Sequence, residues 1–295
     1  MAEKKDFMVF TGDVKMGDIV DANPSLLRIF HRMGMRMGFG ESTVDQACAQ
    51  AGVDPVTFLL IIKIYTVSDY VPSKEELDSV RVEDIMTYLY NSHKYYLEES
   101  LPAIEEAIDH LLLPATSPQK AVVTSFFNEY KRELQEHFAY EEEKVFPYLE
   151  AISSGSAANR YEGRFEEDHT NIEEKIGDLK NIVLKYIPPS CDSLEASRLL
   201  VNIYALEEDL ERHSDVEDKV LIPLIRKDEL SAREKEILVS VAMGKLNKEI
   251  ADEYDISIHT VITHRKNITR KTGIKTVAGL TVYAILNGLI DPSTI

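Results

Sequence analysis

Apolar residues recur at three- and four-residue steps along most of the chain, and the long central stretch lacks the two-residue alternation of a half-buried strand. The pattern predicts an all-α protein in three parts. Residues 1–80 read as a small helical domain plus linker. Three short helices are expected over about 10–65, with breaks at "DANPS", "GFGEST" and "AGVDP", before the polar stretch "SDYVPSKEELDS". Residues 81–228 carry four long helical patterns. The first covers about 83–112. The second opens at "TSPQK", where Ser117 can cap and Pro118 takes the first helical position at no cost in hydrogen bonds. The third runs over about 162–187 and stops at Pro188-Pro189. The fourth starts at Asp192, with Glu195 completing a capping box. Long helices with modest connections predict an antiparallel four-helix bundle. Residues 229–295 hold four shorter helices, the first capped by Ser231 with Glu234 and ended at Gly244.

Composition narrows the class. At 44% hydrophobic the 295-residue chain is ordinary for a soluble protein. No apolar run approaches the roughly 18 residues of a membrane span; "TFLLIIK" is the nearest. The start, "MAEKKDFMVF", lacks a secretory pattern. Cys48 and Cys191 stand in no metal or redox spacing, which fits a reducing compartment. A cytoplasmic protein without membrane contact is therefore expected. The net charge of −18 is uneven: residues 229–295 balance to +1, and 256–280 hold five basic residues and no acidic one. An acidic body thus carries a locally basic tail.

Candidate chemistry lies in the histidines. Four of the eight fall at 93, 137, 169 and 213, one in each long helix, and the two pairs are related by a shift of 76. His137 and His213 each bring a glutamate at i+4, Glu141 and Glu217, and a proline at i+10. Four residues on a helix turn the chain by about 400°, so imidazole and carboxylate share one face. Four buried histidines without partners would cost about 1–3 kcal/mol each, and a metal would satisfy all six groups together. Divided over two ions, four imidazoles and two bridging carboxylates give each metal two nitrogens and two oxygens with positions left open. Iron suits such donors, and manganese and zinc fit the same donor types.

On these residues the middle segment resembles a hemerythrin-like di-iron domain of the repair-of-iron-centres type. The resemblance implies a non-haem pair of iron ions, oxo- and carboxylate-bridged, held by His93, His137, Glu141, His169, His213 and Glu217. Dioxygen or nitric oxide would be the small ligand. Oxygen-carrying hemerythrins have a fifth histidine where Glu173 stands; Glu173 could be an extra ligand, an acceptor for a ligand, or solvated. His110 sits about 25 Å along the helix from His93 and is no candidate; His31 reads as a surface or packing residue. The stretch "MGDIVDANPSLLRIFHRMGMRMGFGESTVDQACAQAGVDP" resembles the short amino-terminal domain of the repair family, but Gly38 and Phe39 stand where that family has a cysteine pair.

The tail "LSAREKEILVSVAMGKLNKEIADEYDISIHTVITHRKNITRKTGIKTVAGLTVYA" reads as a helix-turn-helix with a basic second helix suited to the major groove. It resembles the DNA-binding domain of the LuxR/FixJ/NarL regulators. That resemblance implies base contacts from Ile262, Thr263 and Lys266, and phosphate contacts from Lys248, Thr260, His264 and Arg265. It also implies a homodimer on double-stranded DNA through the last helix, with RNA polymerase as a further expected partner. His259 and His264 are read on the DNA side, not as metal ligands. The combined expectation is a one-component transcriptional regulator, not an enzyme, sensing oxygen, nitric oxide or redox and iron state. Pro223 would be the bending point between input and reader. The alternative is a repair or nitric-oxide- and peroxide-handling protein tethered to DNA.

Overall fold

The computed structural model describes residues 10–67, 69–154, 166–226 and 230–291, without the side chains of 166–171, 173 and 226. Its secondary structure is helical, with no strand among the described residues and one isolated bridge between Lys15 and Thr43. The chain divides between Pro223 and Leu224 into two units, and the first segment and the bundle share the earlier one.

The first segment holds α1 (Met16–Ala22), α2 (Leu27–Arg32), α3 (Val44–Ala51) and α4 (Pro55–Thr66), with a single 3-10 turn at Pro24–Leu26. Each of the three expected breaks separates helices, so four form where three were expected. Asn23 accepts from the Ser25 N–H, Thr43 pairs reciprocally with Gln46, and Gly52 closes α3 at φ +73. The polar stretch that reads as linker contains a further helix, α5 (Lys74–Asp78), because Ser73 and Glu76 form a complete capping box.

Four rods make the bundle. The first is α6 (Val82–Tyr95) and α7 (Leu101–Leu111); the second is α8 (Ser117–Tyr140) and α9 (Phe146–Ser153); the third is α10 (Glu166–Tyr186); the fourth is α11 (Ser193–Val216), continued by α12 (Ile222–Arg226). α10 packs on α8 and α11, and α7 packs on α8 and α11, which closes the ring. Tyr96, Leu101, Ile104, Phe127, Leu134, Phe138, Ile176, Leu199 and Ile203 fill its core. The start of α8 corrects one expected cap. Thr116, not Ser117, flanks the helix, with its N–H and hydroxyl both on Gln119 Oε1, so Pro118 falls at the second position. Asp192 does cap α11, accepting from Leu194 and Glu195 N–H, whereas the Glu195 carboxylate takes Arg198 at 2.6 Å.

Three of the rods are interrupted by a five-residue π-helical turn: Tyr96–Ser100, Glu141–Val145 and Glu217–Leu221. Proline explains their placement. Pro102, Pro147 and Pro223 each lie six residues after the start of a turn. A proline has no N–H for the carbonyl four residues back and its ring crowds that carbonyl. Those carbonyls belong to Glu98, Glu143 and Lys219, one in the middle of each wide turn, where the looser winding accommodates them.

The later unit comprises α13 (Ala232–Ala242), α14 (Asn247–Tyr254), α15 (Ile258–Thr272) and α16 (Val277–Leu286) around a core of Ile237, Leu238, Val241, Ile250, Val261, Ile268, Leu280 and Ala284. No single helix among the described residues is long and apolar enough to cross a membrane. α3 and α4 meet that test only as a pair bent by 117°, and Phe58, Leu60, Ile61, Ile62 and Ile64 of α4 are buried.

Candidate metal centre and DNA-reading helix

The π-helical turns decide where the acidic groups point. Two of them begin on Glu141 and Glu217, each four residues past its histidine, at the level where both rods face the interior. Both glutamates are fully buried. One ligating atom from each of His93, Glu141, His213 and Glu217 lies within 4.8 Å of the others. His137 reaches the same group, its Nε2 3.3 Å from Glu141 Oε1. Five of the six predicted donors are therefore brought together from three rods. α10 passes through His169 and Glu173, but the side chains of both lie outside the described residues. His31 and His110 are exposed.

Aromatic rings wall the cluster. His93 stacks on Phe138 at 4.1 Å and lies 5.7 Å from Phe146, and Tyr96 stands edge-on to His213 at 5.5 Å. These walls keep water out and leave imidazole and carboxylate as the cluster's polar lining.

The sequence reading passed over Glu142. His93 Nδ1 donates to its carboxylate at 2.9 Å, which leaves Nε2 facing the cluster. A ligating histidine is characteristically held this way, by a carboxylate on its far nitrogen. Its signal was visible in "HFAYEEE", where Glu142 follows Glu141 directly, but nothing in the spacing says which rod it serves.

The residues fit a cation on two grounds. His93 Nε2 is 3.2 Å from Glu141 Oε2, and His213 Nε2 is 3.0 Å from Glu217 Oε1. Nitrogen and oxygen atoms of the type that bind cations thus converge on one space. Electrostatics agree. Burial opposes a charge on His93, but hydrogen bonds to Glu141 and Glu142 and the charges of Glu141 and Glu217 outweigh it and raise its pKa to about 9. Two buried carboxylates this close call for positive charge, from a proton or from a metal.

In the later unit, Val261 and Ile268, seven residues apart, fix the inner face of α15. Ile262, Thr263 and Lys266 of the same helix are exposed. Lys248 is exposed on α14, and Thr260 and His264 are half-buried. Arg265 is half-buried, with Nη1 on Asn247 Oδ1 at 2.8 Å. Lys271 turns inward to Glu234 at 2.7 Å and ties α15 to α13, so one of the five basic residues serves the fold.

Two families match the chain: hemerythrin HHE cation binding domain over residues 84–232, and bacterial regulatory proteins, luxR family, over 228–284. Among curated proteins, the transcriptional regulatory protein MctR of Rhizobium johnstonii is 46% identical over 64 residues, 22% of this chain and 30% of that protein. The transcriptional regulatory protein LiaR of Bacillus subtilis is 44% identical over 64 residues, 22% and 30% of the two chains. The oxygen regulatory protein NreC of Staphylococcus aureus is 42% identical over 62 residues, 21% and 29%. The chain thus spans less than a third of the length of these relatives. The hemerythrin match takes in just over half of the 295 residues, and with the buried histidine–glutamate cluster already described it shows that the protein belongs to the hemerythrin HHE cation binding domain family, joined here to a luxR-family regulatory module.

Proposed function

We propose that this chain is a DNA-binding transcriptional regulator whose input is a di-iron centre in the bundle. The observation that carries the reading is the buried cluster of His93, Glu141, His213 and Glu217 in the same chain as a luxR-type module. With His137 at Glu141 and His169 carried by α10, the donors are imidazole and carboxylate, which would suit two iron ions. When bound, such a pair supplies open positions for dioxygen or nitric oxide and a change of oxidation state. The chain's own groups do the rest. Glu141 and Glu217 would hold the cations, Glu142 orients the His93 ring, and Phe138, Phe146 and Tyr96 exclude water.

On the output side Ile262, Thr263 and Lys266 read base edges, while Lys248, Thr260, His264 and Arg265 position the module on phosphates. Val277, Val282 and Leu286 leave apolar surface exposed on α16, which supports pairing of two copies there. RNA polymerase is the expected further contact of such a regulator. The repair reading is less well supported. Gly38 takes φ +94 and Phe39 packs edge-on against Phe30, so no thiol stands at the positions that family uses.

The test is a single titration of DNA with metal-free, reduced and oxidised protein, after counting iron per chain. About two irons and a five- to 150-fold spread in affinity are expected, the range of typical allosteric coupling. Equal affinity in all three states refutes the sensing role. Sustained turnover of nitric oxide, in place of stoichiometric binding, would transfer the function to the repair class.

A further inference from the structure

Arg32, the last residue of α2, is 1% exposed. Its guanidinium sits among tyrosine rings, 5.2 Å from the centre of Tyr95, 5.1 Å from Tyr96 and 6.0 Å from Tyr88. It forks onto Asp209 of α11, Nη1 to Oδ1 at 2.9 Å and Nη2 to Oδ2 at 2.5 Å. Tyr65 of α4 donates to the same carboxylate at 3.5 Å and shares a hydrogen bond with Tyr88. Asn91 of α6 donates to the Arg32 carbonyl at 2.6 Å.

This network ends at the cluster. The Tyr96 hydroxyl donates to the Asp209 backbone carbonyl at 3.2 Å. In an α-helix that carbonyl also accepts the N–H four residues on, which is that of His213. The Tyr96 ring stands at 89° to the His213 imidazole with centroids 5.5 Å apart. Arg32, Asp209 and Tyr96 therefore connect the first segment to both the backbone and the ring of a cluster residue.

Docking alone does not call for this arrangement. A buried ion pair gives up the hydration of two charges, and apolar side chains of similar size often serve stability as well or better. A planar fork on a planar carboxylate adds one fixed distance and angle. Here the fixed angle falls one helical turn from His213, on the same face.

We propose that residues 10–66 report the occupancy of the metal cluster, with Arg32, Asp209 and Tyr96 as positioning residues through which seating of the segment and filling of the cluster favour each other. The inference rests on the reading of the cluster as a metal site. Bound to a metal, His213 would keep one place and so fix the turn that begins at Asp209. The Arg32 fork fits that turn. Release of the segment frees Tyr96 and Asp209 and loosens the hold on His213. By linkage the two effects are equal in size.

The experiment is hydrogen exchange on the full chain with and without Fe(II) under argon, beside an Fe(II) titration. Fe(II) is expected to slow exchange in α2 and α4 by about fivefold or more. The double variant Arg32→Met/Asp209→Leu keeps apolar packing while removing the fork. It should bind Fe(II) more weakly by that same factor, with α2 and α4 exchanging at a rate indifferent to metal. Should that variant fail to fold, Tyr96→Phe removes the bond to the Asp209 carbonyl alone and must reduce both affinity and protection. A wild-type chain that takes up no Fe(II) sinks the metal reading and this inference together. Uptake of Fe(II) with unchanged exchange in α2 and α4, or metal-dependent exchange persisting in the double variant, overturns this inference alone.

Discussion

Replacing Glu217 by glutamine should raise the stability of the metal-free protein and lower that of the metal-loaded one. Glu217 and Glu141 are both fully buried, in a cluster whose ligating atoms lie within 4.8 Å of one another. At that separation and an effective dielectric constant of 20, one pair of unit charges interacts by about 3.5 kcal/mol. Repulsion from Glu141 and attraction to a protonated His93, whose pKa is raised to about 9, therefore nearly cancel for Glu217. Against its 3.0 Å contact with His213 Nε2 stands the cost of keeping a charge out of water, several kcal/mol for a buried ion. Glutamine keeps the shape and removes that charge, less what its amide loses in hydrogen bonding, for a net gain of about 1–3 kcal/mol. For a unit of this size about 2–4 °C accompanies each kcal/mol, so calorimetry with a chelator present should show Tm rising by roughly 2–12 °C. Metal at a hundredfold over Kd stabilises the wild-type chain by about 2.7 kcal/mol, and the variant should lose most of that gain. The reversal of sign between the two conditions is the signature of a binding site. A variant less stable without metal, yet keeping the full metal-induced rise, would mean that Glu217 belongs to a structural network and that the cluster holds no cation through it.

Three further outcomes follow from other parts of the molecule. Lys271→Ala leaves Glu234 buried without its cation, so the later unit should lose about 3 kcal/mol in a denaturant titration; DNA affinity measured well below the new melting point should keep its salt dependence, and a lower salt slope would return Lys271 to the phosphates. Lys266→Ala should weaken binding to a specific site more than to random duplex, since it is exposed on the outer face of α15, and an equal loss on both would make it a phosphate contact. Hydrogen bonds to Glu76 from Lys63, Tyr70 and the Ser73 N–H hold its pKa at about 2. Its contribution is complete above the unfolded value near 4.5 and is lost as pH falls toward 2. Discounted for solvent screening this is about 1 kcal/mol, and Glu76→Gln should remove it from the acid limb of a pH–stability curve; an unchanged acid limb would refute it.

Much of this protein was legible because helices write their own faces. The i, i+4 pairs His137–Glu141 and His213–Glu217 share a face by local geometry, whatever surrounds them. The helical periodicity, the caps at Asp192 and Ser231 and the stop at Pro188-Pro189 are likewise local, which is why the bundle and the four short helices of the tail could be drawn in advance. The prolines were visible too, but not their effect. That Pro102, Pro147 and Pro223 each sit over a π-helical turn, two of which begin on cluster glutamates, depends on how the core on either side locks the helix phase.

What only the tertiary structure decided are the contacts between distant segments. No spacing could say that Glu142 serves His93, 49 residues away, or that Lys271 is spent on Glu234. Arg32 and Asp209, 177 positions apart, look in the sequence like two ordinary surface charges. They became a buried pair because α2 and α4 dock where the tyrosines of α6 leave space, a choice set by the summed packing of several helices. Periodicity fixes which way a side chain faces on its own helix; which neighbour it meets there is settled by the shape and volume of everything else in the core.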